Sequence, residues 1–172
     1  MKISDKQLET LLTARSAQAL KSLLAQRNLV PSLAQASKLQ KHITTFQQVS
    51  KPLRLGIVHT YTSELLDPWL HFSAALNQLS LDIYHAPYGV TLQEAVTGSG
   101  LAEHSPDITL LLLSREDLHP ALQMPAACIQ LADKPGIHEE LQHALSRLVR
   151  QFRDTVAGRI IVTFLPSPVS PG

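Results

Sequence analysis

The stretch PDITLLLLSREDL, residues 106–118, holds six consecutive residues, Ile108 to Leu113, with one polar side chain among them, Thr109. A strand with one wet face alternates apolar and polar residues, whereas an unbroken apolar run bounded by turn formers is what a strand covered on both faces requires. Ile108 to Leu113 therefore reads as the central strand of a parallel sheet. The segments around it repeat a strand-then-helix rhythm. Leu53 to Val58 reads as a first strand, Glu64 to Leu79 as a helix, Leu81 to Tyr84 as a short second strand and Thr91 to Val96 as a short helix before a Thr97–Gly100 turn. Ala126 to Leu131 reads as a further strand, Gly136 to about Val156 as a long helix and Arg159 to Phe164 as a last strand. Such alternation implies right-handed crossovers and helices on both faces of the sheet. The expected fold is α/β, a three-layer flavodoxin-like parallel sheet, preceded by an N-terminal helical hairpin.

The hairpin rests on the first fifty residues. Leu8, Leu11, Leu12, Leu20, Leu23 and Leu24 recur at helical steps from Ser4 to about Arg27, and this spacing predicts one amphipathic helix. Pro31 stands where a second helix would take a first-turn proline, and Leu33, Ala36, Leu39, Ile43 and Phe46 continue a helical stripe. The domain reading is a hairpin over 1–50, an α/β domain over 51–165 and a proline-rich tail, a linker or a native end, over 166–172.

Composition narrows the function classes. With 15 Lys plus Arg against 14 Asp plus Glu the net charge is +1, too balanced to gather a polyphosphate, so nucleic acid is not an expected partner. The single cysteine, Cys128, excludes an internal disulfide and fits a reducing compartment. Charges run through the N-terminal segment where a signal peptide needs an apolar centre, and no 18-residue apolar run occurs, so the expected location is cytoplasmic, away from the membrane.

Three chemistries can be weighed on motifs. The turn after the first strand, His59-Thr60-Tyr61-Thr62-Ser63, lacks the glycines of a dinucleotide site, and no phosphate-binding glycine loop or Asp-x-Asp-x-Thr run occurs. Eight histidines raise the question of a metal, but none form an H-x-x-x-H pair, and His138 and His143 are rotated about 140° apart on a helix, so no metal is expected. Nucleophilic catalysis would take Ser63, Thr60 or Thr62 as hydroxyl, His59, His85 or His119 as base and Asp67 or Asp117 as orienter. Ser63 is equally suited to cap the helix that follows.

The succession LRLGIVHTYTSELL, LDIYHAPYG with Gln93-Glu94 after it, and SGLAEHSPDITLLLLSREDL resembles the N-terminal half of FkbH-like proteins, as do LAQASKLQKHI before it and RIIVTFLPSPVSPG at its end. That family pairs an SGNH-hydrolase-like domain with a C-terminal HAD-type domain. The resemblance implies a part in loading a glyceryl-type three-carbon unit onto an acyl carrier protein of a polyketide synthase. It also implies that the chemistry, and the Mg it needs, reside in a partner HAD domain, with no cofactor in this chain. The hydrolase Gly-Asp-Ser turn and late Asp-x-x-His are missing, so hydrolysis is not the expected activity and no firm catalytic residue is assigned, Thr62 and Ser63 being the weak candidates. Carried over by position, Thr60, Thr62, Tyr88, Gly89, Glu94, Arg115 and Asp117 would lie along the carboxyl edge of the sheet as substrate or carrier contacts. Three readings follow: a carrier-binding accessory domain, a small esterase or acyl transferase using Ser63 or Thr62, and a structural module of a megasynthase.

Overall fold

A computed structural model describes residues 2–46, 51–114, 117–123 and 134–164. The chain forms two compact units, one of residues 1–53 with 63–82, the other of 54–62 with 83–172.

The first unit is helical. Helices α1 (Asp5–Leu11), α2 (Ala17–Gln26), α3 (Leu33–Thr44) and α4 (Asp67–Leu76) surround a core of Leu8, Leu11, Leu20, Leu24, Ala36, Leu39, Ile43 and Phe72. The single long helix expected from Ser4 to Arg27 is in fact two. Helix α1 stops at Leu12, where Thr13 turns its hydroxyl onto the Thr10 carbonyl (2.7 Å), and Ser16 starts α2 by accepting from the Ala19 amide (3.1 Å). Local side-chain bonds thus compete with the helix and win at its weakest turn. Pro31 precedes its helix instead of entering the first turn. Ser32 is the cap, accepting from the Gln35 amide while the Gln35 side chain accepts from the Ser32 amide at 2.9 Å. The helix expected at Glu64 opens with a 3-10 turn, Glu64–Leu66, and becomes α-helical at Asp67.

The second unit carries the sheet. Strands β1 (Leu53–His59), β2 (Leu81–His85), β3 (Ile108–Leu113) and β4 (Arg159–Phe164) form an all-parallel sheet in the order β2-β1-β3-β4, flanked by helices. The apolar run is an inner strand, as its composition requires. Val58 pairs with Leu111 and Leu111 with Val162, so these three share one face. After the short α5 (Thr91–Glu94), Leu101 of α6 (Gly100–His104) packs against this face, together with Leu148, Phe152 and Val156 from or just beyond α7 (Lys134–Thr155). Helix α6 follows directly on the turn expected over Thr97–Gly100; Ser99 caps it, accepting from the Ala102 amide at 3.2 Å. The Pro-Asp ahead of β3 is a clasp: Asp107 accepts the Arg54 amide on Oδ2 (2.8 Å), donates its own amide to Arg54 O (2.8 Å) and accepts the Arg159 amide on its carbonyl (2.9 Å). One residue thereby sets the register of β1, β3 and β4. The strand expected over 126–131 and the tail 166–172 lie outside the described residues.

Candidate functional site

The strand order creates the site. From β1 the chain moves outward to β2 and then returns past β1 to β3, so the loops leaving β1 and β3 diverge at their carboxyl ends. Such a fork is where open parallel sheets leave a crevice. A cleft of about 640 Å³ opens there. Thr60 and Leu113 come from the strand ends, Tyr88, Gly89, Thr91 and Leu92 from the segment after β2, and Asp117 and Leu118 from the segment after β3. The fourth wall is one face of α7: Ala144, Arg147, Leu148 and Gln151 follow the i, i+3, i+4, i+7 spacing of a single helical stripe.

Of the expected contacts, Thr60, Tyr88, Gly89 and Asp117 are brought together here. Thr60 does structural work at the same time, since its Oγ1 accepts the Ser114 amide at 2.8 Å and its amide donates to Leu112 O at 3.1 Å, tying β1 to β3 where they part. Gly89 has φ +75°, a conformation open to glycine at no steric cost, and Tyr88 beside it is 70% exposed at the cleft mouth. Thr62 and Ser63 do not line the cleft. Arg115 lies outside the described residues.

Of the expected bases, His59 and His119 have both ring nitrogens engaged. His59 is 2% exposed, with Nδ1 2.7 Å from Tyr61 O and Nε2 2.9 Å from Ala86 O, so both ring nitrogens face carbonyl oxygens. His119 accepts the Ala121 amide on Nδ1 (3.1 Å), which leaves Nε2 to donate to the Glu140 carboxylate (2.6 Å). The His85 ring stands edge-on to His59 at 5.7 Å. Ser63 Oγ is buried and has no hydrogen-bond partner among the described residues, and Ser63 does not cap the following turn with its side chain. The Ser63 amide instead donates to the Glu64 carboxylate at 3.0 Å. Among the described residues, none of the three hydroxyls is hydrogen-bonded to an imidazole.

Glu94 has a different task from the one expected of it. It is 6% exposed, accepting the Leu101 amide on Oε2 (2.8 Å) and the Tyr84 hydroxyl on Oε1 (3.1 Å). The carboxylate thus anchors the first turn of α6, and the negative charge suits that helix end. Burial first, then the Glu94 charge and hydrogen bond, and then Glu103, push the Tyr84 phenol above the ordinary tyrosine value. Because the folded state holds this proton more tightly, the associated stability is complete below the ordinary value and is lost as pH rises through the raised one. Glu94→Gln keeps an acceptor and removes the charge. The expected result is a Tyr84 titration moved down in an alkaline phenolate absorbance scan, with about 1 kcal/mol of stability lost at neutral pH by urea unfolding.

Two cleft residues, Arg147 and Gln151, have no counterpart among the sequence candidates. Their signal is the stripe shared with Ala144 and Leu148, which becomes legible once α7 is placed over the fork of β1 and β3.

No protein-family model matches this sequence, and no curated protein matches it. Among solved structures, the N-terminal part of the protein BF1531 from Bacteroides fragilis, described as containing a phosphatase domain and complexed with Mg, is similar in fold, with a TM-score of 0.60 at 14% sequence identity. The match covers 81% of this chain and 35% of that one, so this chain spans about a third of the other's length. No helix among the described residues is long and apolar enough to cross a membrane. What the two proteins share is a fold.

Proposed function

We propose that this chain is an accessory domain of an FkbH-like loading system and that the cleft at the fork of β1 and β3 receives an acyl carrier protein through its prosthetic arm. The observation that carries this reading is the convergence of Thr60, Tyr88, Gly89 and Asp117 on one open cleft in which, among the described residues, the Thr60 hydroxyl is taken up by the Ser114 amide and is not hydrogen-bonded to an imidazole. A surface that binds without reacting needs shape, an apolar rim and a few polar groups; it does not need an activated nucleophile. The fold shared with a longer protein that contains a phosphatase domain supports assigning the chemistry to a partner of the HAD type, with its Mg, and the glyceryl-type unit and polyketide setting come from the sequence resemblance.

Titration of the isotope-labelled chain with a phosphopantetheinylated carrier protein tests this. The expected result is a set of saturable amide shifts at Thr60, Gly89, Leu113 and Leu148 that the carrier lacking its prosthetic arm does not produce. An unchanged spectrum at millimolar carrier overturns the assignment.

A further inference from the structure

Within the cleft, two charged side chains of opposite sign stand without partners among the described residues. Neither the Arg147 guanidinium nor the Asp117 carboxylate makes a side-chain hydrogen bond or ion pair with any described residue, and although both line the same cavity they do not pair with each other. An exposed arginine is ordinary by itself. Here it projects from the same helical face as Leu148, which is buried in the core beneath, and Gln151 lies one turn further along. That stripe sets a planar, bidentate donor and an amide side by side on one wall of the cleft, an arrangement suited to phosphate or carboxylate oxygens. At the mouth, Tyr88 and Leu92 are both exposed and offer apolar surface. Asp117 accepts hydrogen bonds only, so it calls for a hydroxyl or N–H on the same ligand.

We infer that the cleft takes an elongated ligand with an anionic end received by Arg147 and Gln151, a hydrogen-donating group facing Asp117, and an apolar body along Tyr88 and Leu92. This rests on the reading of the cleft as a binding site and adds the chemistry of what it binds. Phosphate and carboxylate share the chemistry that Arg147 recognises, and three probes with a common body of geminal methyls, hydroxyl and amide separate them: phosphopantetheine with a phosphate at the pantoyl end, pantetheine with no charge and pantothenate with a carboxylate at the opposite end.

Amide shifts of the intact chain are followed with each probe, in the wild type and in Arg147→Gln and Arg147→Lys. The expected result is saturable binding of phosphopantetheine at Thr60, Gly89 and Leu148, weakened about 10-fold or more in Arg147→Gln and partly restored in Arg147→Lys, as loss of a charge-assisted hydrogen bond requires. Pantetheine binds more weakly than phosphopantetheine and is indifferent to Arg147→Gln. If pantothenate matches phosphopantetheine, the anion recognised is a carboxylate as readily as a phosphate, and the inference stands. If pantetheine binds as well as phosphopantetheine and Arg147→Gln changes neither, the role of Arg147 is overturned while the cleft remains a binding site. If none of the three probes shifts a cleft residue, the inference falls, and carrier titration decides separately whether the cleft is used at all.

Discussion

Phe152→Ala is expected to cost about 3–5 kcal/mol, the range for emptying a fully buried aromatic site. Phe152 is wholly buried where α7 meets the sheet, among Val58, Leu101, Leu111 and Val156. Its removal leaves a void that several rigid elements border, and strands fixed in register by Asp107 cannot close in to fill it. The loss should appear as a lower urea midpoint by far-UV circular dichroism, with amide exchange accelerated first in β3 and α7. Trp69, the only tryptophan, packs against the core of the helical unit, so its fluorescence follows that unit by itself. Phe152→Leu, which keeps most of the volume, should cost a minor fraction of this. The effect reaches the cleft as well. Phe152 lies one residue beyond Gln151 and one turn beyond Leu148, so it seats the helix face that presents Arg147. Ligand binding in Phe152→Ala should therefore weaken under conditions where the variant is still folded.

The sheet was legible because its signal is local. Ile108 to Leu113 carries enough apolar side chains in a row to specify burial on both faces without reference to anything else in the chain, and it is an inner strand. The break between α1 and α2 was not legible, since the leucine spacing runs through it and a serine or threonine bonding back to the backbone looks, in sequence, like any other. A similar divide runs through the site. Thr60, Tyr88, Gly89 and Asp117 follow strands, so the family resemblance that singles them out and the carboxyl-edge rule give them the same address. Arg147 and Gln151 lie on a helix whose polar residues, read alone, belong to a solvated face; only the packing of Leu148 and Phe152 on the sheet shows which stripe borders the cleft. Glu94 satisfied the edge rule and still has other work, because the free amide at the start of α6 and the Tyr84 hydroxyl claim its carboxylate. The rule gives an address along the sheet, and competing hydrogen-bond donors decide whether a side chain at that address is available to a ligand.

Gly158→Ala should cost about 1–3 kcal/mol although it adds only one methyl group. Gly158 leads into β4, and a Cβ there would collide with the carbonyl oxygen of Pro106 and the carbonyl group of Asp107. Both obstacles are backbone, so no rotamer change relieves the overlap. Nor can the Asp107 peptide retreat, held as it is by two bonds to Arg54 and one to the Arg159 amide. The methyl group must instead push the start of β4 away from β3, stretching the Arg159–Asp107 bond and the 2.8 Å bond from Arg153 to the Gly158 carbonyl that closes the end of α7. Gly56 differs in kind, because a Cβ there meets first the flexible end of Leu101, and Gly136 differs again, with open space around it on α7. Gly136→Ala is therefore the matched control. It should hold or raise stability by up to about 1 kcal/mol, the usual gain from replacing glycine in a helix. Urea unfolding of the two variants side by side should move the midpoint down for Gly158→Ala and leave it level or higher for Gly136→Ala. A fall of equal size in both would mean that the close approach of β3 and β4 is not what requires glycine at position 158.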